Sequence, residues 1–404
     1  MSNKVNKYLI RNYLTLRYNP LEKPIIPFAK SSNFIESVSD PDGIKTEKLL
    51  KKIIYNQLAK KSGTIVIGLS SGIDSALTLA LIRKIFPKRH ILAISAFFEG
   101  GENESVRAKK IAKKFDAEFK TLKMDSTFST MPTLVGITQK PRWNNYQHLI
   151  VKEAKKYGNI VYFGDGADEL FGGYVFRYQK FHQMLKKEDD WVSKTKKYLE
   201  CHNRDWVPDQ HKMFGKSIKF DWKTIYNYFK PYFSNKLSPL HQVMLADFNG
   251  KLALDFIPSN RKTFRHYNVH GNSIFLDKKI IDFALHLPIS EKFMFKKNLG
   301  KITLRKITER LEIDHIDKKK GFSPELYVDW EKNGEKICNN FIRSSESHIL
   351  KNKLIDRNWL DHAFQRVNDD GDIRYLYRII SVLALEIWYK IFLKKEMNVH
   401  DVLT

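Results

Sequence analysis

The sequence contains few cysteines and no long apolar run. Cys201 and Cys338 are its two cysteines in 404 residues, and they form no CxxC motif. A disulfide framework or a cysteine zinc site needs more cysteines at closer spacing, so both are excluded and a reducing, cytoplasmic setting is expected. No stretch approaches the roughly 20 apolar residues of a membrane helix, and residues 1–20 lack the apolar core of a signal peptide. We therefore expect a cytoplasmic protein without a membrane partner.

Acidic residues are scarce relative to basic ones. The chain has 70 Lys and Arg against 45 Asp and Glu, a formal net charge of +25. A basic surface attracts polyanions, which makes tRNA or another polyanion a candidate partner. The basic residues are spread over both halves of the chain instead of forming one run, which equally fits an ordinary solvated, lysine-rich surface. Composition leaves both interpretations open.

The residue pattern divides the chain into four parts. Residues 1–45 carry four prolines and no sustained periodicity, which predicts an irregular leader. Residues 46–185 alternate between short apolar runs and amphipathic stretches, as expected of an α/β core. Residues 186–240 are polar and rich in aromatics, which suggests an insertion or lid. Residues 241–404 read as a helical C-terminal part.

The predicted core contains alternating strands and helices. Strands are expected at 64–69, 91–96, 119–122 and 160–163, and helices at 47–58, 74–86, 104–115 and 146–157. A short, continuous β-branched run is typical of a strand buried on both faces of a parallel sheet. The alternation therefore predicts a doubly wound α/β sheet. After about residue 175 the strand pattern disappears, and a mostly helical region is expected to pack on the sheet.

The first predicted strand ends directly in the loop SSGIDS, residues 70–75, where a helix begins. Such a turn exposes consecutive backbone N–H groups, and the helix N-terminus adds a positive dipole, so the loop suits a pyrophosphate. Three serines add hydroxyl donors, and Gly72 lets the backbone approach an anion closely. The spacing matches neither GxxxxGK[ST] nor GxGxxG, which sets those phosphate motifs aside.

An aspartate in a phosphate loop needs its own explanation, because a carboxylate repels phosphate. Asp74 would hold Mg²⁺, which bridges the phosphates. The alternative is that Asp74 and Ser75 only cap the helix.

A second acidic loop, GDGADELFGGY at residues 164–174, follows the strand predicted at 160–163. Ligands of open parallel sheets bind at the carboxyl ends of the strands. Two carboxylates at one crevice, Asp74 and Asp168, suit a Mg²⁺-bound triphosphate, with lysines nearby to neutralise charge. The alternative here is a glycine-rich turn leading into a capped helix.

The two loops together resemble the synthetase domain of the asparagine synthetase family, within the N-type, or PP-loop, ATP pyrophosphatases. The SSGIDS loop is shared by several such enzymes, whereas DELFGGY is much more specific to the asparagine synthetase branch. Further similar segments lie at residues 13–18, 275–277, 284–288, 304–306 and 319–323. The resemblance spans roughly residues 10–390.

This resemblance implies ATP and Mg²⁺ as cofactors and a two-step reaction. A substrate carboxylate, aspartate in the type enzyme, attacks the α-phosphate of ATP and gives an acyl-adenylate and pyrophosphate. An amine, usually ammonia, then displaces AMP and leaves an amide. Catalysis of this kind depends on alignment and on shielding developing charge.

The resemblance also implies a role for each matching residue. The nucleotide contacts are Leu69, Ile94, Phe163 and Gly164. The pyrophosphate loop comprises Ser70, Ser71, Gly72, Ile73, Asp74 and Ser75. Asp74 and Asp168 would carry Mg²⁺. Asp165 stands where the family often has a catalytic glutamate. Lys319 stands where a lysine is expected to stabilise phosphate or intermediate charge; the alternative is a solvated lysine within 318–320.

Departures from the family pattern concern the nitrogen source and the acceptor. Met1 is followed by Ser2, where the family exposes a cysteine nucleophile, and no glutaminase region precedes residue 10. Ammonia would then come free or from a separate glutaminase subunit, or another amine would serve. HGNSIFLD replaces ExRxPFLD at 270–277, and RWNNYQ replaces SxPMYL at 142–147, which borders the acceptor in the family.

These changes weaken the prediction that aspartate is the acceptor, since specificity lies in the pocket contacts. Aspartate is the leading candidate, and another carboxylate on a small molecule, sugar, peptide or RNA nucleoside remains open. Arg142 could pair with the acceptor carboxylate or simply be solvated. Two other functions also remain open: a tRNA-modifying or specialised-metabolite adenylating enzyme, and a non-catalytic nucleotide-binding partner.

Overall fold

The computed structural model describes residues 6–100, 104–202, 206–314 and 325–404. A five-stranded parallel sheet, in the order β3-β2-β1-β4-β5, forms its centre. The strands are β1 (Ile65–Gly68), β2 (Ile91–Phe97), β3 (Glu118–Lys123), β4 (Ile160–Phe163) and β5 (His270–Ser273). Helices cover the sheet, so the predicted doubly wound α/β class is confirmed.

The α-helices of the first half are α1 (Lys7–Leu16), α2 (Ile44–Leu58), α3 (Ile73–Ile85), α4 (Ser105–Lys114), α5 (Met131–Thr138), α6 (Gln147–Ala154), α7 (Ala167–Phe171), α8 (Val175–Met184) and α9 (Trp191–Glu200). Those of the second half are α10 (Trp222–Asn227), α11 (Lys230–Phe233), α12 (Pro239–Asp247), α13 (Ile257–His266), α14 (Lys278–Leu285), α15 (Ile302–Arg310), α16 (Leu326–Asp329), α17 (Glu335–Ile342), α18 (His348–Lys351), α19 (Arg357–Asn368) and α20 (Ile373–Trp388). A short hairpin joins β6 (Phe293–Met294) to β7 (Leu299–Gly300).

The buried central strands explain why sequence periodicity located them. Ile65, Val66 and Ile67 of β1 are fully buried, and residues 91–94 of β2 and 160–163 of β4 are buried to within a few per cent. A strand buried on both faces needs apolar side chains at consecutive positions, and such runs stand out in a sequence. All four predicted strands are therefore present, with ends shifted by at most a residue or so.

The expectation that no strand follows residue 175 is wrong, because β5 completes the sheet at its edge. Its sequence, HGNS, contains no apolar residue. His270 pairs with Ile160 on β4, and the other side of β5 carries no strand of the sheet. An edge strand that is partly exposed does not need the apolar pattern that identifies buried strands.

The leader is not irregular throughout. Lys7–Leu16 forms α1, which begins at Asn6, whose Oδ1 accepts hydrogen bonds from the N–H groups of Tyr8 and Leu9. Ile10 and Leu14 are buried in the same cluster as α20. The prolines that suggested irregularity begin only after this helix, and its apolar face is too short to give a sustained period. The division of the chain into four parts stays a prediction.

Helix α20 is the main core element of the second half. Thirteen of its sixteen residues are buried. Arg378, fully buried at its centre, donates from Nη1 to the carbonyl oxygen of Leu14 near the end of α1. A cation at a helix C-terminus meets unpaired carbonyl groups and the negative end of the helix dipole. Among the described helices, none combines enough length and apolarity to cross a bilayer.

Lys292 is a buried cationic group that makes stability depend on pH. Its side chain is fully buried beside Phe34, and Nζ donates to the carbonyl oxygen of Leu285 at 3.2 Å. Burial lowers the pKa of Lys292 to about 7, whereas an unfolded lysine titrates near 10.4. Between these values the unfolded chain binds a proton that the folded chain has released, so stability rises with pH.

We expect the substitution Lys292→Met to remove this dependence. From pH 7 to 9 the free energy of unfolding of the wild type should rise by about 2 kcal/mol more than that of the variant. Urea unfolding at the two pH values measures the difference. Lys297→Met, at an exposed position of the same segment, is the control and should follow the wild type. An equal pH dependence in Lys292→Met and wild type would contradict the assignment.

Candidate active site

The loop between β1 and α3 is tightly folded. The Leu69 N–H donates to the Ile94 carbonyl oxygen, 2.8 Å away, at the end of the paired strands. Ser75 Oγ accepts from the N–H of Ser70 at 3.0 Å and lies 3.0 Å from Ser70 Oγ. The Gly72 N–H donates to Ser70 Oγ at 3.3 Å. These contacts hold the loop in a turn whose next residues open helix α3.

Helix capping by Asp74 or Ser75 does not explain this loop. Gly72 is the N-cap of α3, and within the described residues no side chain makes a cap hydrogen bond there. Asp74 Oδ2 instead accepts from Lys301 Nζ, and Ser75 Oγ bonds within the turn. Asp74 is therefore oriented towards a cation.

The two acidic loops are in direct contact. A Cβ added at Gly164 would lie 2.6 Å from Asp74 Cβ and 3.2 Å from the Ser75 nitrogen, so only glycine allows this approach. Gly166 has φ +93°, a backbone conformation that side chains disfavour. A Cβ at Gly173 would overlap with the Asp168 carboxylate and the Lys301 side chain. The glycines of the second loop thus bring its carboxylates against the first.

Lys301 joins the two predicted metal ligands. Its Nζ lies 2.6 Å from Asp74 Oδ2 and 2.6 Å from Asp168 Oδ1. The backbone N–H of Lys301 donates to the Phe171 carbonyl oxygen at the end of α7, and this bond anchors Lys301 to the acidic loop. Burial opposes its charge, but the Asp168 and Asp74 carboxylates outweigh burial and raise the pKa of Lys301. Sequence reasoning expected nearby lysines but did not identify this one.

These residues are chemically suitable for Mg²⁺. Mg²⁺ prefers oxygen ligands and usually binds one or two carboxylates, with water and substrate phosphates completing the shell. Asp74 and Asp168 already converge on one ammonium group, so a common cation lies within reach of both. The described residues contain no cluster of three or more metal-binding side chains.

Asp165 is held by two amides. Its Oδ1 accepts from Gln147 Nε2 and its Oδ2 from Asn260 Nδ2, each at 2.8 Å. The hydroxyl of Ser273, at the end of β5, donates to the Asp165 carbonyl oxygen at 2.6 Å. Burial raises the pKa of Asp165 to about 6, although the amide hydrogen bonds favour the ionised form. Sequence reasoning assigned roles to neither Gln147 nor Asn260, and nothing in the sequence around Asn260 indicated one.

A third carboxylate reaches the phosphate loop. The hydroxyl of Ser71 donates to Glu104 Oε2 at 2.6 Å, and the Ser71 N–H lies 3.3 Å from the same oxygen. Both are groups that a pyrophosphate would use. Glu104 sits just before α4, where the sequence predicted only the start of a helix.

Other predicted contacts stay predictions. Leu69, Ile94 and Phe163 are at most 4% exposed. Lys319 lies outside the described residues.

Arg142 differs from both expectations. Its side chain is 5% exposed and forms an ion pair with Asp255, which is itself buried, and its guanidinium lies 5.6 Å from the Phe256 ring centroid. It is not solvated, and its charge already meets an internal carboxylate instead of an acceptor. Sequence alone could not show this, because Asp255 lies far along the chain.

A helix N-terminus and convergent carboxylates at the carboxyl ends of neighbouring parallel strands define an α/β domain of the PP-loop ATP pyrophosphatase type. The family model described as "Asparagine synthase" matches residues 45–390. The chain belongs to this family.

The chain is also similar to individual known proteins. The chain is 25% identical over 400 residues to asparagine synthetase [glutamine-hydrolyzing] 1 of Bacillus subtilis, covering 88% of this chain and 61% of that protein. It is 29% identical over 87 residues to an NH(3)-dependent NAD(+) synthetase of Carboxydothermus hydrogenoformans, covering 22% and 35% of the two chains. Among solved structures, the NMN synthetase of Francisella tularensis aligns with 18% identity and a TM-score of 0.27, covering 54% and 98%. The chain thus spans less than two thirds of the Bacillus relative.

Proposed function

We propose that the protein is an ATP-dependent, amide-forming ligase. A carboxylate attacks the α-phosphate of ATP, pyrophosphate leaves, and ammonia or another amine displaces AMP from the acyl-adenylate. The observation that carries the proposal is the convergence of Asp74 and Asp168 on Lys301 Nζ, 2.6 Å from each, beside the SSGIDS loop. Membership of the asparagine synthase family supports the same chemistry.

The phosphate loop would bind the pyrophosphate part of ATP. The N–H groups at the start of α3 and the Ser70 and Ser75 hydroxyls would donate hydrogen bonds to the anion, and the helix dipole favours negative charge. Glu104 must release Ser71 before these groups can all bind phosphate, because two anions cannot share one donor site. The loop therefore exchanges one carboxylate for a phosphate when ATP binds.

Lys301 and a bound metal would neutralise the negative charge of the phosphates. Mg²⁺ held by Asp74 and Asp168 would supply positive charge to the phosphate oxygens. Lys301, which now bonds to both carboxylates, would be released from them in that complex and would stabilise the charge that develops on the leaving pyrophosphate. Lys319 remains a predicted second cation.

Asp165 is the proposed proton acceptor. When an amine adds to the acyl-adenylate carbonyl carbon, its nitrogen gains a positive charge and must lose a proton before the amide forms. Asp165, with a pKa of about 6, is largely ionised at neutral pH and can accept that proton. Its side chain is one methylene shorter than that of glutamate, and the two amides fix the orientation of both carboxylate oxygens.

An ATP–pyrophosphate exchange assay tests the proposal. Labelled pyrophosphate should enter ATP only when a suitable carboxylate and Mg²⁺ are present, and adding ammonium should release AMP and pyrophosphate in equal amounts. A protein that binds ATP but exchanges no pyrophosphate with any of a wide panel of carboxylates, aspartate included, would be a non-catalytic nucleotide binder.

A further inference from the structure

Three side-chain amides, those of Asn145, Gln147 and Asn260, form a hydrogen-bonded group around Asp165 that we call the amide cluster. Gln147 Nε2 donates to Asp165 Oδ1 and Asn260 Nδ2 donates to Asp165 Oδ2, each at 2.8 Å. Behind them, Asn145 Nδ2 donates to Asn260 Oδ1 at 3.2 Å and lies 3.5 Å from Thr263 Oγ1. A continuous row of hydrogen bonds therefore runs from Asn145 to the carboxylate.

Chemistry fixes the direction of each hydrogen bond in the amide cluster. An ionised carboxylate can only accept, so both neighbouring amides must turn their NH₂ groups towards Asp165. Asn260 then presents its carbonyl oxygen to Asn145, which donates to it. Because Asn145 is 4% and Asn260 6% exposed, water has little access to compete for these groups. The cluster is thus a directed set of donors to an ionised Asp165.

Separate elements of the fold hold Asp165 in place. Gln147 opens α6, and Asn260 lies in α13, which packs against α6. The hydroxyl of Ser273, at the end of β5, donates to the carbonyl oxygen of Asp165. These contacts fix the backbone and the plane of the carboxylate together. The side chain of Asp165 is not fully enclosed, so a substrate atom can reach it.

The orientation of Gln147 is explained by its bond to Asp165. Among the described residues, Asp165 is the partner of the Gln147 side chain. Gln147 Oε1 is buried and makes no hydrogen bond with any of them. A buried carbonyl group without a partner destabilises a fold, so stability does not account for the placement of this amide. The hydrogen bond from Nε2 to the carboxylate does.

The amide cluster opposes two influences that favour protonation of Asp165. Burial and the negative charges of Asp74 and Asp168 raise the pKa of Asp165, the amide hydrogen bonds lower it, and the result is about 6. Lys301 bonds to both of the other carboxylates and partly offsets their charge. Without the amide hydrogen bonds the pKa of Asp165 would rise, and less of the residue would be ionised at neutral pH.

We infer that Gln147 and Asn260 are positioning residues of the amide-forming step, and that Asn145 acts in the same step through Asn260. The inference rests on the proposed function, in which Asp165 accepts a proton. The amine nitrogen attacks the acyl carbon and forms the C–N bond, its proton passes to Asp165, and the C–O bond to AMP breaks with its electron pair leaving on AMP. The first step, attack of an ionised carboxylate on ATP, releases no proton. The cluster therefore serves the second step and not the first.

Substitutions in the cluster should separate the two half-reactions. Gln147→Met and Asn260→Leu each remove one donor to Asp165 at similar side-chain size. Each should lower kcat for amide formation from ammonium chloride at least tenfold, while ATP–pyrophosphate exchange stays within threefold of wild type. The acid is L-aspartate or, if it exchanges faster, another member of the carboxylate panel. Asn145→Leu, one bond further away, should lower amide formation about threefold. Gln365→Met, at an exposed position of α19, is the matched control and should leave both rates unchanged.

Combination with Asp165→Ala shows whether the amides act through the carboxylate. Asp165→Ala alone should lower amide formation at least about 100-fold. Adding Gln147→Met to it should change the rate by less than twofold, because residues that act as one unit are not additive. Multiplication of the two separate effects would give Gln147 a role of its own and overturn the inference.

The pH dependence is a readout that a merely structural role would not move. A proton acceptor works when ionised, so wild-type amide formation should fall as the pH drops through about 6. In Gln147→Met the pKa of Asp165 is higher, so the fall should begin about one pH unit higher. Rates compared at equal concentrations of free ammonia exclude the titration of ammonium itself.

The outcomes distinguish the inference from the proposed function. Equal losses of exchange and amide formation in Gln147→Met and Asn260→Leu, or amide formation at the wild-type rate, would overturn the inference and leave the ligase intact. If Asn260→Leu does not fold, Gln147→Met decides alone. A wild-type protein that neither exchanges pyrophosphate nor forms an amide would refute the ligase and the inference together.

Discussion

Replacing Asp168 by asparagine should lower ATP–pyrophosphate exchange by about 1,000-fold, because the site loses one of two carboxylates that converge on a common cation. Asp168 Oδ1 lies 2.6 Å from Lys301 Nζ, and Asp74 Oδ2 lies 2.6 Å from the same atom. The amide keeps the shape of the side chain but not its charge, so Mg²⁺ would keep a single carboxylate ligand, Asp74. The fold should persist, since Asp168 is partly exposed.

Two measurements distinguish a chemical effect from a folding effect. MgATP should raise the melting temperature of the wild type. It should raise that of Asp168→Asn much less, because stabilisation by a ligand follows its affinity. Asp116→Asn, whose side chain is 94% exposed on the far side of α4, is the matched control and should exchange pyrophosphate like the wild type. Exchange by Asp168→Asn within tenfold of wild type would refute the role of Asp168 as a metal ligand.

A second large effect is expected in the buried polar network behind the acidic loop. Asp247→Asn should reduce the free energy of unfolding by about 3–5 kcal/mol, because it leaves the Arg177 charge buried without its partner. Asp247 Oδ1 accepts from Arg177 Nη1 at 3.0 Å and from the Tyr198 hydroxyl at 2.8 Å, and both charged side chains are at most 6% exposed. Urea unfolding at pH 7 measures the loss.

The protonation states in this network follow from its geometry. A guanidinium can only donate, so His202 Nε2, 2.5 Å from Arg177 Nη1, must accept, and its Nδ1–H donates to the Tyr198 carbonyl oxygen at 2.7 Å. Burial lowers the pKa of His202 to about 4, which agrees with a neutral ring. Burial opposes ionisation of Asp247, but Arg177 outweighs it and lowers the pKa of Asp247 to about 2.

The lowered pKa of Asp247 also sets the pH range in which its contribution to stability is lost. A carboxylate with a depressed folded pKa stabilises the fold above its unfolded pKa, near 3.9, and loses this contribution as pH falls towards 2. The loss in Asp247→Asn should therefore be constant between pH 6 and 8.

A double substitution and a surface pair serve as controls for the network. Arg177→Met combined with Asp247→Leu removes both charges and should recover much of the lost stability. Lys351→Met breaks an exposed ion pair with Glu346 and should cost at most about 1 kcal/mol. A loss of under 1 kcal/mol in Asp247→Asn would show that the buried pair does not support the fold. Because Arg177 also lies over the Tyr174 ring, whose hydroxyl bonds to Glu169, weakening the pair should loosen the acidic loop as well.

Local pattern explains which parts of the fold were predictable. The strands β1, β2 and β4 have consecutive apolar residues because both of their faces are buried, and the loops after β1 and β4 carry glycines and carboxylates at short range. These signals involve residues close together in sequence. The edge strand β5 and the helix α1 were missed because one lacks apolar residues and the other has a short apolar face.

The partners of the predicted site residues required the tertiary structure. Lys301 lies 227 residues from Asp74, and Asn260 lies 95 residues from Asp165, yet each pair is in hydrogen-bond contact. Neither Lys301 nor Asn260 belongs to a motif that marks it as functional. Glu104 and Gln147 lie at the starts of predicted helices, where polar residues are common and do not indicate a functional site.

The SSGIDS and GDGADELFGGY segments alone predict a phosphate loop and a second acidic loop, because turn geometry and helix dipoles depend on adjacent residues. Chain folding decides the partners of these residues. It places Lys301 against the two carboxylates and the Gln147 amide against Asp165. It also pairs Arg142 with Asp255 instead of an acceptor. Charge and hydrogen bonding act over a few ångströms of space, whatever the separation along the chain, so only the packed structure brings these partners together.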